Sequence, residues 1–314
     1  MPLPEGLAVK SAAQVPLESL VDFVRSYEES ITGIASYTRE DLLLETGHPG
    51  YDPFHNSWCL TRPQGDVMAW GALTVRGGAT LDGALTVLPG ADGDSAAREL
   101  LARLLRRTQE LDREFGSESA ITIGGVLTGD PVVPRVLEEA GFRRQASFTQ
   151  ADIDLTSPPV AAVLPEGARV RPIDTTPDDV RAVHQLHAQT RAKGTRTLDY
   201  ETFRARLDQF AVATQEGAGI ALLIEIAGRP VGHVLAYAGD GQGRIADVGV
   251  SPASRGLGIG LALVTTALAG LRELGCHLAL LALDSSRIQD LNGLYSLLSV
   301  KRSRAVTNYV KSPS

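Results

Sequence analysis

The chain has 314 residues, of which 43% are hydrophobic and 21% charged, with a formal net charge of −7. That length exceeds what one core usually serves, so two domains of roughly 150 residues each are predicted, and the composition excludes a disordered or fibrous chain. The acidic balance excludes a protein that depends on broad electrostatic attraction to nucleic acid or to an anionic membrane.

Residues 1–30 carry no basic segment followed by an apolar one, and no run of about 18 apolar residues occurs anywhere. A cytoplasmic protein with no membrane partner is expected. Cys59 and Cys276 are too few and too far apart for a disulfide framework or a metal cluster, so no metal is expected and both thiols read as packing residues. Lysine is limited to Lys10, Lys193, Lys301 and Lys311, which together with abundant Ala and Gly suggests a GC-rich bacterial genome.

In chain order, residues 7–10 read as a short strand. Residues 17–27 read as a helix, with Leu17, Leu20, Val21 and Val24 on one face. A polar, Gly-rich stretch spans 47–56. Residues 57–61, 67–75 and 81–87 then form an antiparallel meander, turning at Pro63-Gln64-Gly65 and at Gly77-Gly78. Ser95, with Glu99 nearby, is the expected N-cap of a long helix that carries Leu101, Leu104, Leu111 and Phe115 and ends at Gly116. A strand at 120–123, a helix at 132–140 stopped by Gly141, and a strand at 146–155 complete the first half.

Three prolines in 157–165 forbid a helix and remove ladder donors, which marks a linker. Domains are therefore expected at 1–156 and 166–314. The second half repeats the order of the first. A strand at 169–173 leads to a helix after Pro177 that carries Val180, Val183, Leu186 and His187. The polar segment 191–197 precedes a second helix at about 203–210, and strands at 221–226, 231–237 and 245–250 form another meander. A helix bearing Leu257, Leu261, Val264, Leu268 and Leu271 stops at Gly275. The apolar run 277–283 reads as a buried parallel strand, and a helix at about 289–298 and a strand at 305–310 close the chain. A repeat of this length indicates two copies of one domain.

The most informative stretch is 248–262, where a β-branched strand breaks at Ser251-Pro252 and passes Arg255, Gly256, Gly258 and Gly260 into a helix. Small residues let backbone N–H groups reach an anion, and a helix N-terminus favours negative charge there, so a phosphorylated ligand is expected. A dinucleotide fold would space its glycines G-x-G-x-x-G after a first strand and add an acidic residue about twenty positions on. Asp284 suits the last condition, but the third glycine comes one place early and the preceding strands form a meander. A Walker loop lacks its Gly-Lys-Ser/Thr. The remaining alternative is a glycine turn with no ligand.

Arg255-Gly256-Leu257-Gly258-Ile259-Gly260 resembles the Arg/Gln-x-x-Gly-x-Gly/Ala pyrophosphate loop of the GNAT N-acetyltransferase superfamily. The resemblance spans about 169–311 and includes the preceding Val248-Gly249-Val250-Ser251-Pro252 and the downstream Leu294-Tyr295. In the first half it survives in the order of elements and in residues 136–142. It implies an α/β (α+β) fold of two tandem GNAT domains, each a mixed, mostly antiparallel sheet flanked by helices, with acetyl-CoA as acyl-donor cosubstrate. It further implies that Val248 and Val250 offer backbone partners to the pantetheine and acetyl groups, while Arg255, Gly256, Leu257, Gly258, Ile259, Gly260 and Leu261 surround the pyrophosphate. Tyr295 matches the tyrosine that protonates the leaving thiolate in many members.

The base is open. Where several relatives carry a glutamate, this chain has Arg244; Asp247 would face the other side of a regular strand unless a bulge re-aims it, and His233 on the neighbouring strand is the other candidate. A third option is an acceptor α-amine that is partly neutral at physiological pH and needs no dedicated base. Ile288 replaces the usual asparagine, and Leu298-Ser299-Val300 the frequent Leu-Gly-Phe. Aligned at Pro89 and Pro252, the first half puts Asp92 opposite Arg255, Gly93 opposite Gly256, Ser95 opposite Gly258 and Ala97 opposite Gly260. An acidic residue there repels a pyrophosphate, so chemistry is expected in the C-terminal domain and the N-terminal one is read as degenerate.

The expectation is an N-acetyltransferase acting by direct transfer on the amine of a small molecule or peptide, as a monomer or homodimer. The acceptor is expected between 196–210 and the second meander. The two-domain architecture also resembles mycothiol synthase and related acyltransferases, and a non-catalytic acyl-CoA-binding sensor or partner protein is the alternative from another class.

Overall fold

A computed structural model describes residues 6–76, 80–190, 198–283 and 291–313. The turn expected at Gly77-Gly78, the polar segment 191–197, Asp284 and Ile288 lie outside the described residues. The chain divides into two compact units, one of Met1–Phe148 with Arg304–Ser314 and one of Thr149–Ser303.

In the first unit, strand β1 (Ala8–Ser11) is followed by helices α1 (Leu17–Thr32) and α2 (Arg39–Thr46), then strands β2 (Ser57–Thr61), β3 (Val67–Val75) and β4 (Thr80–Val87). Helix α3 (Gly93–Phe115), strand β5 (Ala120–Leu127), helix α4 (Val133–Glu139) and strand β6 (Arg143–Asp154) come next. Strands β1 to β4 pair antiparallel in sequence order, and β4 pairs with β5 in parallel. One face of this sheet packs on α3 through Ala96, Ala97, Leu100, Leu101 and Leu104. The other packs on α1 through Leu20, Val21 and Val24, against Cys59, Trp70 and Ala72.

Three local expectations change. Helix α2 was not anticipated; Thr38 caps it by accepting from the Asp41 N–H while Asp41 accepts from the Thr38 N–H. Helix α3 begins at Gly93, two residues before Ser95, because the Ala96 N–H already bonds the Asp92 carbonyl. Phe115, expected on the buried face, is 48% exposed.

The second unit repeats the order. Strand β7 (Ala168–Pro172), helices α5 (Pro177–Thr190) and α6 (Tyr200–Gln215), and strands β8 (Gly219–Ile226), β9 (Arg229–Gly239) and β10 (Gln242–Val250) lead to α7 (Ile259–Glu273), β11 (Leu278–Leu283), α8 (Leu291–Leu297) and β12 (Val300–Lys311). Strands β7 to β10 pair antiparallel in order, and β10 pairs with β11 in parallel. Helix α7 covers one face with Ala262, Leu263, Ala267, Leu268 and Leu271 against Val234, Ala236 and Ile245. Among the described residues, no helix is long and apolar enough to cross a membrane.

The division differs from a boundary at 157–165, and the reason lies in the last strand of each half. The sixth place in the first sheet is filled by β12, paired antiparallel with β5 from Val306↔Leu127 to Lys311↔Ile121. The sixth place in the second is filled by the end of β6, paired with β11 from Leu278↔Asp154 to Leu283↔Thr149. Each half therefore gives its final strand to the other unit, and the proline-rich stretch falls inside the second.

Asp130 is a stability determinant of the first unit. Its carboxylate accepts from the N–H groups of Val132 and Val133 at 2.7 and 2.9 Å, closing the start of α4, and from the Tyr27 hydroxyl at 2.7 Å. Burial, and then the carboxylate itself, pushes the Tyr27 hydroxyl far above the usual phenol range. Asp130→Ala removes a cap and orphans a buried hydroxyl, so it should lower unfolding free energy by about 2–4 kcal/mol, read from denaturant midpoints.

Candidate active site

The glycine stretch folds as a turn into α7. Gly256 and Gly258 have φ of +80° and +77°, a left-handed backbone that other residues adopt only at a cost. Gly258 occupies the N-cap, and the first intrahelical bond runs from the Ala262 N–H to its carbonyl. The N–H groups of Ile259, Gly260 and Leu261 precede that bond, so they are the donors a helix start leaves for an anion. Ser254 donates its N–H to the Ser251 carbonyl at 2.9 Å, which fixes the approach to the turn.

A cleft of about 550 Å3 opens here. Val250, Arg255, Gly256, Gly258, Ile259, Gly260 and Leu261 line it, with Leu294 and Leu297 of α8 contributing the rest of an apolar wall. Two expected ligand residues lie elsewhere. Leu257, expected on the helix face, belongs to the turn and is 52% exposed, while Val248 packs its side chain on the α7 core. Neither position removes the backbone group through which a contact was expected.

Strands β10 and β11 separate beside this cleft. Their parallel register runs from Gln242↔Leu278 to Ile245↔Leu281, and beyond it, among the described residues, β10 is paired only with β9. An extended ligand chain can lie along such an unpaired strand edge and bond its backbone groups. Tyr295 follows Leu294 on α8, and its hydroxyl is buried with no hydrogen-bond partner among the described residues.

The two candidate bases come together through a bulge. The β9–β10 register shifts between Ile245 and Asp247, which leaves Ala246 as the extra residue. Gly243 and Ile245 face α7, so regular alternation would send Asp247 there too. The bulge turns it to the other face, where its Oδ2 meets His187 Nδ1 at 2.6 Å and His233 Nε2 at 3.3 Å. Arg206 of α6 donates to the freed Ala246 carbonyl at 3.1 Å. Both imidazoles are fully buried. Burial alone would raise the Asp247 pKa, but the hydrogen bonds from His187 and His233 outweigh it and hold the carboxyl well below the usual range.

His187 was placed by sequence on an apolar helix face but not in the site. The signal was a histidine at a core position of α5, next to Val183 and Leu186, where a buried polar group must find a partner. One ligand-type atom from each of His187, His233 and Asp247 lies within 4.8 Å of the others. Zinc would hold such atoms at 2.0–2.2 Å in a tetrahedron, setting them roughly 3.3 Å apart. The 2.6 Å separation of His187 and Asp247 is that of a charge-assisted hydrogen bond, so a proton fits between them better than a shared metal.

The corresponding turn of the first unit is built differently. Three residues lie between Pro89 and the start of α3 at Gly93, whereas six lie between Pro252 and the start of α7 at Ile259. Gly93 and Ser95, opposite Gly256 and Gly258, are therefore helical and form no left-handed turn. In the same first turn, Asp94 is paired with Arg98 and Arg135. Burial raises the pKa of Cys276 and pushes Cys59 up to about 12, so both free thiols are unreactive packing groups.

Residues 181–295 match the sequence model of the Acetyltransferase (GNAT) family. A segment of 113 residues is 34% identical to the mycothiol acetyltransferase of Clavibacter michiganensis subsp. michiganensis. That match covers 36% of this chain and 34% of the relative, so about a third of the curated relative's length is spanned. A GCN5-related N-acetyltransferase from Sphaerobacter thermophilus superposes with a TM-score of 0.74 at 20% identity, over 99% of this chain and 97% of that one. A tandem GNAT protein from the clavulanic acid biosynthesis pathway superposes with a TM-score of 0.67 at 18% identity, over 98% and 99% of the two chains. The chain thus has the fold of tandem GNAT proteins, and it matches the GNAT acetyltransferase family over its residues 181–295.

Proposed function

We propose that the chain is an acetyl-CoA-dependent N-acetyltransferase that acts on the amine of a small molecule or peptide, with its chemistry in the C-terminal unit. The observation that carries this reading is the junction of a separated β10 edge with a left-handed glycine turn at the start of α7. The edge suits an extended pantetheine arm. The turn suits a pyrophosphate, and Arg255 adds charge-assisted bonds to it. Tyr295 is the acid for the departing thiolate, and the Asp247–His233 pair serves the amine side. The N-terminal unit, whose turn is absorbed into α3 behind Asp92, holds no second acyl-CoA.

A mycothiol synthase-like acyltransferase is the finer alternative, supported by the 113-residue match. Arg244, standing where several relatives have a glutamate, favours a non-catalytic acyl-CoA-binding protein instead. Free thiol followed during incubation with acetyl-CoA and a panel of aminosugars, α-amino compounds and peptides separates these readings. Amine-dependent thiol release is expected. Tight CoA binding without release for any amine would contradict an enzyme.

A further inference from the structure

We infer that His233 accepts the proton of the incoming amine through Nδ1, and that Asp247, anchored by His187, is a positioning residue which holds His233 in the Nε2–H form. The inference deepens the acyltransferase reading and rests on it for the identity of the reaction. Its structural part stands on the triad alone.

An ionised carboxylate accepts hydrogen bonds and donates none. Asp247 Oδ2 faces His187 Nδ1 at 2.6 Å and His233 Nε2 at 3.3 Å, so each of these nitrogens must carry the hydrogen. In neutral His233 that leaves Nδ1 with the lone pair. The atom is buried and has no hydrogen-bond partner among the described residues. An N–H there would be an orphaned donor, at a cost of roughly 1–3 kcal/mol, so of the two neutral tautomers the pairing selects Nε2–H.

The same edge of the ring rests on the end of β10. A Cβ built on Gly249 would fall 2.6 Å from His233 Cε1 and 3.1 Å from Nδ1. Only a glycine lets the imidazole lie this close to the backbone between Val248 and Val250, the edge that β11 leaves unpaired among the described residues. The basic nitrogen therefore adjoins the strand proposed to hold the thioester. In the step, the amine nitrogen bonds the acetyl carbonyl carbon while its proton passes to His233 Nδ1. The C–S bond then breaks, and the CoA thiolate takes a proton from the Tyr295 hydroxyl. The imidazolium that forms donates from Nε2 to Asp247, which meets its charge, and the second contact of Asp247 to His187 fixes the carboxylate in place.

Nitrogen NMR of histidine-labelled protein tests the tautomer without any substrate. A lone-pair Nδ1 and a protonated Nε2 are expected for His233 in the wild type, and a mixed or inverted signal in Asp247→Asn. For activity, His233→Gln and Asp247→Asn should each lower kcat by about 10²-fold or more, with the acetyl-CoA KM within about threefold. The double variant should lose little more than either single one, because the pair acts as a unit. An Nδ1–H tautomer in the wild type, full kcat in folded His233→Gln, or one tightly bound metal per chain would each overturn the inference. Wild-type protein that binds acetyl-CoA but releases thiol with no amine would refute the acyltransferase reading instead, with the tautomer measurement still deciding the role of Asp247.

Discussion

Tyr295→Phe should lower kcat about 10²- to 10³-fold while the acetyl-CoA KM changes by less than about threefold. A thiolate leaving a tetrahedral intermediate needs a proton, and a positioned acid typically contributes 10²- to 10⁴-fold to such a step. The Tyr295 hydroxyl is suited to the role because it is buried without another partner among the described residues, so its hydrogen is not committed to a structural bond. A tyrosine that only packs would behave differently: removing an unpaired buried hydroxyl would leave kcat unchanged and stability equal or higher. Steady-state kinetics together with thermal unfolding of the same variant separate the two roles.

Arg255→Glu should raise the acetyl-CoA KM on the order of 10- to 100-fold, with kcat at saturation little altered. Arg255 is exposed and lines the cleft together with the glycine turn, and a carboxylate there would repel a pyrophosphate held by the N–H groups of that turn. Interactions equally strong in ground and transition states act on KM, and a pyrophosphate remote from the reacting carbonyl belongs to that class. The reciprocal change in the first unit, Asp92→Arg, should not raise this KM, because the turn behind Asp92 is already helical from Gly93. Equal effects of the two substitutions would remove the functional asymmetry between the units.

Much of this arrangement is legible in the sequence, and the exceptions have physical causes. The strands and long helices follow from apolar periodicity, and the glycine turn follows from residues that tolerate positive φ. Helix α2 escapes a periodicity search because Leu42, Leu43 and Leu44 are consecutive and mark no single face, although the Thr38-x-x-Asp41 capping box announces it. The early start of α3 is settled by backbone bonds at Asp92 and not by a capping side chain. The exchange of β6 and β12 is invisible because a strand's own alternation does not say which sheet edge it joins. Asp247 is the most consequential case. Its role depends on a single extra residue at Ala246, and a bulge is a property of pairing register that one strand's sequence does not record. His187 reaches the site only through that bulge.

A crystal structure of the chain with CoA tests the proposed cofactor site in the second unit. One CoA per chain is expected, its pyrophosphate on the N–H groups between Gly256 and Leu261 and its pantetheine arm along β10 from Val248 to Val250. A CoA bound at residues 89–97 of the first unit, or one whose pyrophosphate lies away from the α7 N-terminus, would contradict that placement.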